Sequence, residues 1–337
     1  MKPPTNWVIG PRADWCHLAL APLWALGLGL LLGLTPLKTF KIPAFGHTGS
    51  LADGFISCFI LAHLFLVFFR SHGNPEIRRL HPFRFLVVPP VLFILFAVWP
   101  LARAAGAVLA IWWDVYHSSL QTFGIGRIFD MKSGNDPDEG RTMDLLLNLF
   151  LYIGPVLGGT LLVYHASSFY ELSDLGHLFF GTLPPQLLAL QGRIRLILLG
   201  LGVPFLTWYA VYYSFLIHHG YNVDKRKVVL YLSTAVCSIW AWGFNPFGMG
   251  LFIMNFFHAW QYFALVWRYE GGTAARVLKM RGGLPAFAAM TCVAFLYGAL
   301  GSVLGEISTL ALSATLVVSL MHFWYDGFVW SVRKGQV

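Results

Sequence analysis

Twelve histidines occur in this chain of 337 residues, and their spacing is more informative than their number. Several apolar stretches carry a histidine six to eleven residues before a basic residue. His63 lies seven residues before Arg70, and His117 and His258 lie ten before Arg127 and Arg268. His322 lies eleven before Arg333, and His218 and His219 lie seven and six before Lys225. At about 1.5 Å of rise per helical residue, His117, His258 and His322 sit roughly 15 Å from their basic flanks, at a common depth. Polar company recurs at helical spacing. Asp114, His117 and Gln121 stand at i−3, i and i+4; Asn255, His258 and Gln261 at i−3, i and i+3; His322 and Asp326 at i and i+4. Residues so spaced share one helix face.

Neutral imidazoles at equal depth on several helices are a means of holding a metal ion at about 2.0–2.1 Å from each nitrogen. The expected metal ligands are His63, His117, His258 and His322, with His218 and His219 as further candidates. Imidazole, carboxylate and amide donors without thiolate suit non-haem iron first, then zinc or copper. Asp114 and Asp326 are the acidic residues expected deep in helices. Each lies one turn from a histidine, where a carboxylate ligates or orients the ring. Gln121, Gln261 and Tyr262 are expected to hydrogen-bond an oxygen species or the substrate. His17, His72 and His81 lie at basic boundaries, and their part in the site stays open. Facing histidines also suit b-type haem, and Asp/His chains in spans suit a transporter or proton relay. A structural or assembly subunit is a further alternative.

Elements able to position such residues follow from composition. Hydrophobic residues make up 57% and charged residues 11% of the chain, with a mean hydropathy of +0.65. A soluble globular protein carries about 25% charged residues, so a soluble enzyme or nucleic-acid-binding domain is excluded. The net charge of +8 is better explained by basic residues gathering on cytoplasmic loops. About 20 apolar residues span a bilayer, which gives ten expected helices, at 16–36, 52–69, 83–101, 104–126, 145–164, 195–217, 228–244, 247–267, 285–305 and 308–330. The stretch 166–192, with Pro184 and Pro185, reads as a non-cytoplasmic loop holding an interfacial or re-entrant piece. With both termini cytoplasmic, eighteen of the 23 basic residues fall inside and five outside. The expected fold is all-α: one polytopic transmembrane bundle over residues 1–337, in a bacterial inner membrane. No cleavable signal peptide is expected. Cys16, Cys58, Cys237 and Cys292 form no CxxC pair and read as small core hydrophobes. The polar stretch 132–140 reads as a solvated inside loop.

Four segments, Ala62–Arg70, Trp113–Gly124, Phe257–Tyr262 and His322–Trp330, resemble signatures of a group of uncharacterised bacterial multi-pass proteins. They cover about a tenth of the chain. In architecture the chain is also similar to the Brp/Blh family of carotene-cleaving dioxygenases. That resemblance implies one iron held by four helix-borne histidines and acting on a long apolar substrate. The Pro-His-Gly start motif of that family is absent, so no residue is carried over. The HxxxH and HxxHH boxes of membrane desaturases are also absent, and only His218-His219 resembles them. Together these readings lead to an O₂-dependent membrane oxidoreductase. Its partners would be the bilayer, a lipophilic small molecule and a redox donor.

Overall fold

A computed structural model of the chain describes residues 6–36, 41–44, 47–159, 173–244 and 250–330. Lys2, Lys38, Arg333 and Lys334, counted for topology, and His165 lie outside the described residues. In chain order the elements are α1 (Pro11–Ala19, passing from α to π geometry), α2 (Ala21–Leu34), β1 (Lys41–Ala44), β2 (His47–Ser50), α3 (Leu51–Phe65) and α4 (Val67–Arg70). Next come α5 (Pro75–Leu80), α6 (Pro82–Leu86), α7 (Val88–Val98), α8 (Pro100–Lys132), α9 (Arg141–Gly158) and α10 (Ser173–His218). The chain continues with α11 (Lys225–Ser238, running on in π geometry through Ile239–Phe244), α12 (Gly250–Val277), α13 (Leu284–Ile307) and α14 (Thr309–Val329). The fold is helical as expected, with one short antiparallel hairpin in which Lys41 pairs with Ser50 and Ala44 with His47.

Local sequence sets several boundaries. Trp99 is extended before Pro100, because a residue preceding proline is pushed out of helical geometry, and it separates α7 from α8. The Asn74 side chain accepts hydrogen bonds from the amides of Glu76 and Ile77 and caps α5, with Pro75 at its first position. Asp224 caps α11 through the Arg226 amide. Gly140, at φ 72°, turns the chain into α9; a Cβ there would meet Tyr213 Oη at 2.6 Å.

Among the described residues, four helices are long and apolar enough to cross a membrane: Ala189–His218, Lys225–Phe244, Leu284–Gly305 and Thr309–Val329. Pro11–Ala19 and Ala21–Leu34, bent by 52°, make a fifth if taken as one broken span. Gly54–Arg70 and Pro82–Val98 are apolar but shorter. The remaining expected spans coincide with α8, α9 and α12. There the residues that could do chemistry or carry charge, such as Asp114, His117, Asp144, Asn148, His258 and Gln261, dilute the apolar run. One sequence expectation is corrected. Residues 173–192, expected as loop, belong to the 46-residue helix α10. Pro184 and Pro185 each remove a backbone donor and crowd a carbonyl one turn back, yet the leucine-rich sequence that follows, Leu187–Leu190, carries the helix on.

The chain divides into two compact units, each discontinuous in sequence. The first comprises Met1–Gly27, Asp114–His258 and Val332–Gly335. Its α11 is tied to α1, where Ser233 Oγ donates to the Ala19 carbonyl at 3.0 Å, and to α9, where Ser238 Oγ donates to the Leu151 carbonyl at 2.5 Å. Cys237 is buried with its thiol 3.0 Å from the Pro22 carbonyl, as a small core residue, whereas Cys16 and Cys292, expected likewise, are exposed and Cys58 is half-buried. At one end a charged cluster is fully enclosed. Lys227 Nζ lies 2.7 Å from both Asp130 Oδ2 and Asp144 Oδ2, and Arg127 Nη1 lies 2.7 and 2.9 Å from the same carboxylates. Asp224, beside it, accepts from Ser133 Oγ at 2.7 Å and is bidentate with Arg226. Burial alone would push its carboxyl up, but the bonds from Arg226 and Ser133 outweigh that and hold it below its ordinary value.

The second unit comprises Leu28–Trp113, Ala259–Ser331 and Gln336–Val337. Its core gathers Ala62, Leu66, Phe69, Phe96, Met290, Ala294, Leu316, Leu320 and Val329. Here α3 and α13 touch backbone to backbone: a Cβ on Gly298 would meet the Cys58 carbonyl oxygen at 2.1 Å. Small residues permit such close helix approach in membranes. Gly298→Leu should therefore push the two helices apart and cost about 1–3 kcal/mol of overpacking. A clear drop in the detergent melting temperature checks this, against Leu296→Ala at an exposed neighbouring position as control.

Candidate metal centre

Within the first unit, α8 presents Asp114, His117 and Gln121 on one face, and the start of α12 presents Asn255 and His258. His117 and His258 are both buried, with their Nε2 atoms 3.2 Å apart. The rings meet edge-on, centroids 4.8 Å apart at 77°. Gln121 Nε2 donates to the His258 carbonyl at 2.9 Å, which ties α8 to α12 where the histidine leaves the helix axis. Asn255 hydrogen-bonds the Asp114 carboxylate. The expected stripe thus forms: the carboxylate is held by an amide, and the two imidazoles face each other.

Two geometries explain a 3.2 Å separation of Nε2 atoms. One is an N–H···N hydrogen bond between neutral rings. The other is adjacent ligation of one ion, since two nitrogens about 2.1 Å from a tetrahedral ion lie about 3.4 Å apart. The donor chemistry fits the second. Both rings are enclosed, and a carboxylate lies one turn away.

The second unit contains its own pair. His63 on α3 and His322 on α14 are fully buried, their rings 5.1 Å apart at 89°. Tyr262 packs its ring 4.7 Å from His322 and 6.3 Å from His63. Asp326 Oδ2 lies 3.8 Å from His322 Nε2. Its other oxygen, Oδ1, accepts from Tyr262 Oη and Trp330 Nε1, each at 2.9 Å. Two donors on one oxygen fix the carboxylate and leave Oδ2 toward the histidine. Gln261 is fully buried on α12.

Further back, Arg70 Nη1 pairs with Glu270 Oε1 at 2.5 Å, and Arg70 donates from Nε and Nη2 to the Val329 carbonyl at 3.1 and 2.9 Å. The Arg70 guanidinium also sits 4.5 Å over the Trp330 ring, and Asn74 donates to both oxygens of Glu270. This frame holds the indole that holds Asp326.

No family model, no curated protein and no solved structure matches this chain. Four of the six histidines expected as ligands are brought together in buried pairs, and both deep carboxylates lie beside them. His218 and His219 are not: both are exposed at the end of α10, where His219 Nδ1 pairs with the Phe215 carbonyl at 2.8 Å. His72 lies between Ser71 Oγ at 3.0 Å and the Phe85 carbonyl at 2.9 Å, and burial pushes its imidazole down from its ordinary value. His81 meets Phe328 edge-on, ring centroids 4.7 Å apart at 73°. These two histidines pack against the aromatic residues around α6. Trp330 was legible only as its i+4 spacing from Asp326. Arg70 and Glu270, 200 positions apart, gave no sequence signal as a pair.

Proposed function

We propose that this chain is a membrane-embedded oxidoreductase that uses a histidine-held metal, non-haem iron first, on a lipophilic substrate. Zinc, copper and haem are the alternatives. The observation that carries the reading is the buried His117–His258 pair, Nε2 to Nε2 at 3.2 Å. His117, His258, His63 and His322 would hold metal, and Asp114 and Asp326 would complete or orient the ligand sets. Bound iron would supply one-electron chemistry toward O₂. The chain's own residues do the rest. Aromatic walls around Tyr262 exclude water, and the Gln261 amide would hydrogen-bond an oxygen atom of substrate or oxidant; the Tyr262 proton, expected for that role, is committed to Asp326. Trp330 and Tyr262 keep Asp326 turned toward His322.

The proposal includes ten membrane spans, both termini on the cytoplasmic side of a bacterial inner membrane, and a redox partner there. Its support is the run of apolar side chains exposed on α10, among them Leu196, Leu199, Leu201 and Val203, which only lipid would cover favourably. A proton or ion relay is the second reading, favoured by the enclosed Lys227–Asp130–Asp144 cluster. Metal analysis separates the two. Purified chain should contain about one or two iron ions and show no haem Soret band. Chain free of iron, zinc and copper after metal-replete expression would overturn the oxidoreductase.

A further inference from the structure

A cavity of about 690 Å³ opens on the first unit, away from the histidines. Its walls come from three places in the chain: Trp7 and Trp15 from the N-terminal segment, Lys132 and Ser133 from the end of α8, and Asn222, Lys225 and Arg226 around the start of α11. The volume falls within the range of small-ligand sites, about 300–1,000 Å³.

The charges of this cavity are unevenly balanced. Arg226 is buried and satisfied: it lies 2.8 Å from Asp14 Oδ2, is bidentate with Asp224, and stacks 4.7 Å over the Trp7 ring. Asp224 is neutralised by Arg226 and by Ser133. The two lysines differ. Lys225 is exposed, Lys132 is half-buried, and among the described residues neither ammonium group meets a carboxylate. Their neighbours Arg127, Arg226 and Lys227 are all paired. Two ammonium groups that meet no carboxylate among the described residues, the second amide proton of Asn222, and two indole rings make a site for an anion with an organic body.

We infer that this cavity binds a phosphate ester of net negative charge, with Lys132 and Lys225 holding the phosphate and Trp7 and Trp15 flanking the group it carries. The inference is independent of the metal reading. Tryptophan and lysine together mark the headgroup level of a bilayer, and each lysine near an anionic membrane surface strengthens attachment about fivefold. The same chemistry would accept a lipid headgroup or a soluble phosphate ester.

Calorimetric titration of the full chain in neutral detergent tests this. Three probes are used: short-chain phosphatidylglycerol, short-chain phosphatidylcholine and glycerol 3-phosphate. Phosphatidylglycerol should bind. The double variant Lys132→Ala/Lys225→Ala should weaken that binding about 25-fold. Lys132→Arg/Lys225→Arg should keep it, and Arg79→Ala, an exposed cation of the second unit, should change nothing. Phosphatidylglycerol bound well above glycerol 3-phosphate assigns the site to lipid; equal binding assigns it to a soluble ester. Equal affinity for phosphatidylcholine, undiminished binding by the alanine variant, or no binding of either anionic probe overturns the inference. Metal content should be the same in all variants, so failure here leaves the metal reading standing, and the reverse.

Discussion

Alanine at His117 or at His258 is expected to strip metal from the chain, each variant retaining less than about a tenth of the wild-type content. Two nitrogens at 3.2 Å act as a unit. Removing either leaves the other with one bond to an ion in an enclosed site, and loss even of a group that only orients a ligand costs 10- to 100-fold in affinity. Both rings are buried, so each truncation also opens a void and costs stability. His117→Gln and His258→Gln guard against confusing the two effects. Glutamine fills most of the ring volume and hydrogen-bonds, but is a poor ligand. If the glutamine variants melt near the wild type yet lack metal, the pair ligates. If they retain full metal, the 3.2 Å separation is an ordinary N–H···N bond. Mass spectrometry of digested protein reads the metal, and the melting curve reads the fold. The same pair of measurements on His63→Gln and His322→Gln reports on the second unit, and the change in stoichiometry counts the ions.

Much of the site was legible because its parts are local. Asp114, His117 and Gln121 lie on two turns of one helix, and so do Asn255, His258 and Gln261; a 3.6-residue period is enough to put each set on one face. Common depth matched His117 with His258, but it placed His322 with them as well, whereas His322 meets His63, which the same ruler sets at a different depth. The same ruler explains the misfit of His218 and His219. They stand only six or seven residues from Lys225, at the end of α10 where the helix meets solvent, and depth alone could not tell a helix terminus from a buried turn. What sequence left hidden is what long-range packing decides. Nothing in the local pattern joins Arg70 to Glu270, or Trp7 to Lys225. In the fold, apolar length predicted α11, α13 and α14 well, and of α10 only its second half. It failed at the breaks: Leu66 and Val87 interrupt helices that hydropathy alone would run together, while the break at Trp99 falls near the expected boundary between 83–101 and 104–126. Arg127 and Lys227 were countable only as topology markers, because charge near a span boundary reads as solvated until its partners are seen.

Those two residues give the largest expected effect on stability. Lys227→Met should lower the stability of the first unit by about 3–5 kcal/mol, the cost of leaving a buried charge unpaired. In the wild type two cations face two carboxylates, so the enclosed cluster is neutral. Lys227 Nζ touches both carboxylates at 2.7 Å and also donates to Tyr213 Oη at 2.8 Å and Tyr221 Oη at 3.1 Å. Arg127 cannot take over. Its Nη2 is already committed to the carbonyls of Asp136, Pro137 and Glu139, at 3.2, 3.0 and 2.6 Å, which closes the 133–140 loop over the cluster. Nor can the tyrosines, since Tyr209 and Tyr213 already donate to Asp144 Oδ1 at 2.8 and 2.6 Å. Methionine matches the aliphatic stem, so the variant removes charge and donors with little change of volume. The melting temperature should fall by roughly 10 °C. Lys227→Met/Asp130→Asn restores neutrality and should recover about half of the loss, whereas Asp130→Asn alone leaves one positive charge in excess and should also destabilise. The two single variants and the double form a thermodynamic cycle whose coupling energy is expected at 1–3 kcal/mol. If the double variant loses the full sum of the singles, the carboxylate and the ammonium do not act as a pair, and packing rather than charge balance holds this end of the unit together.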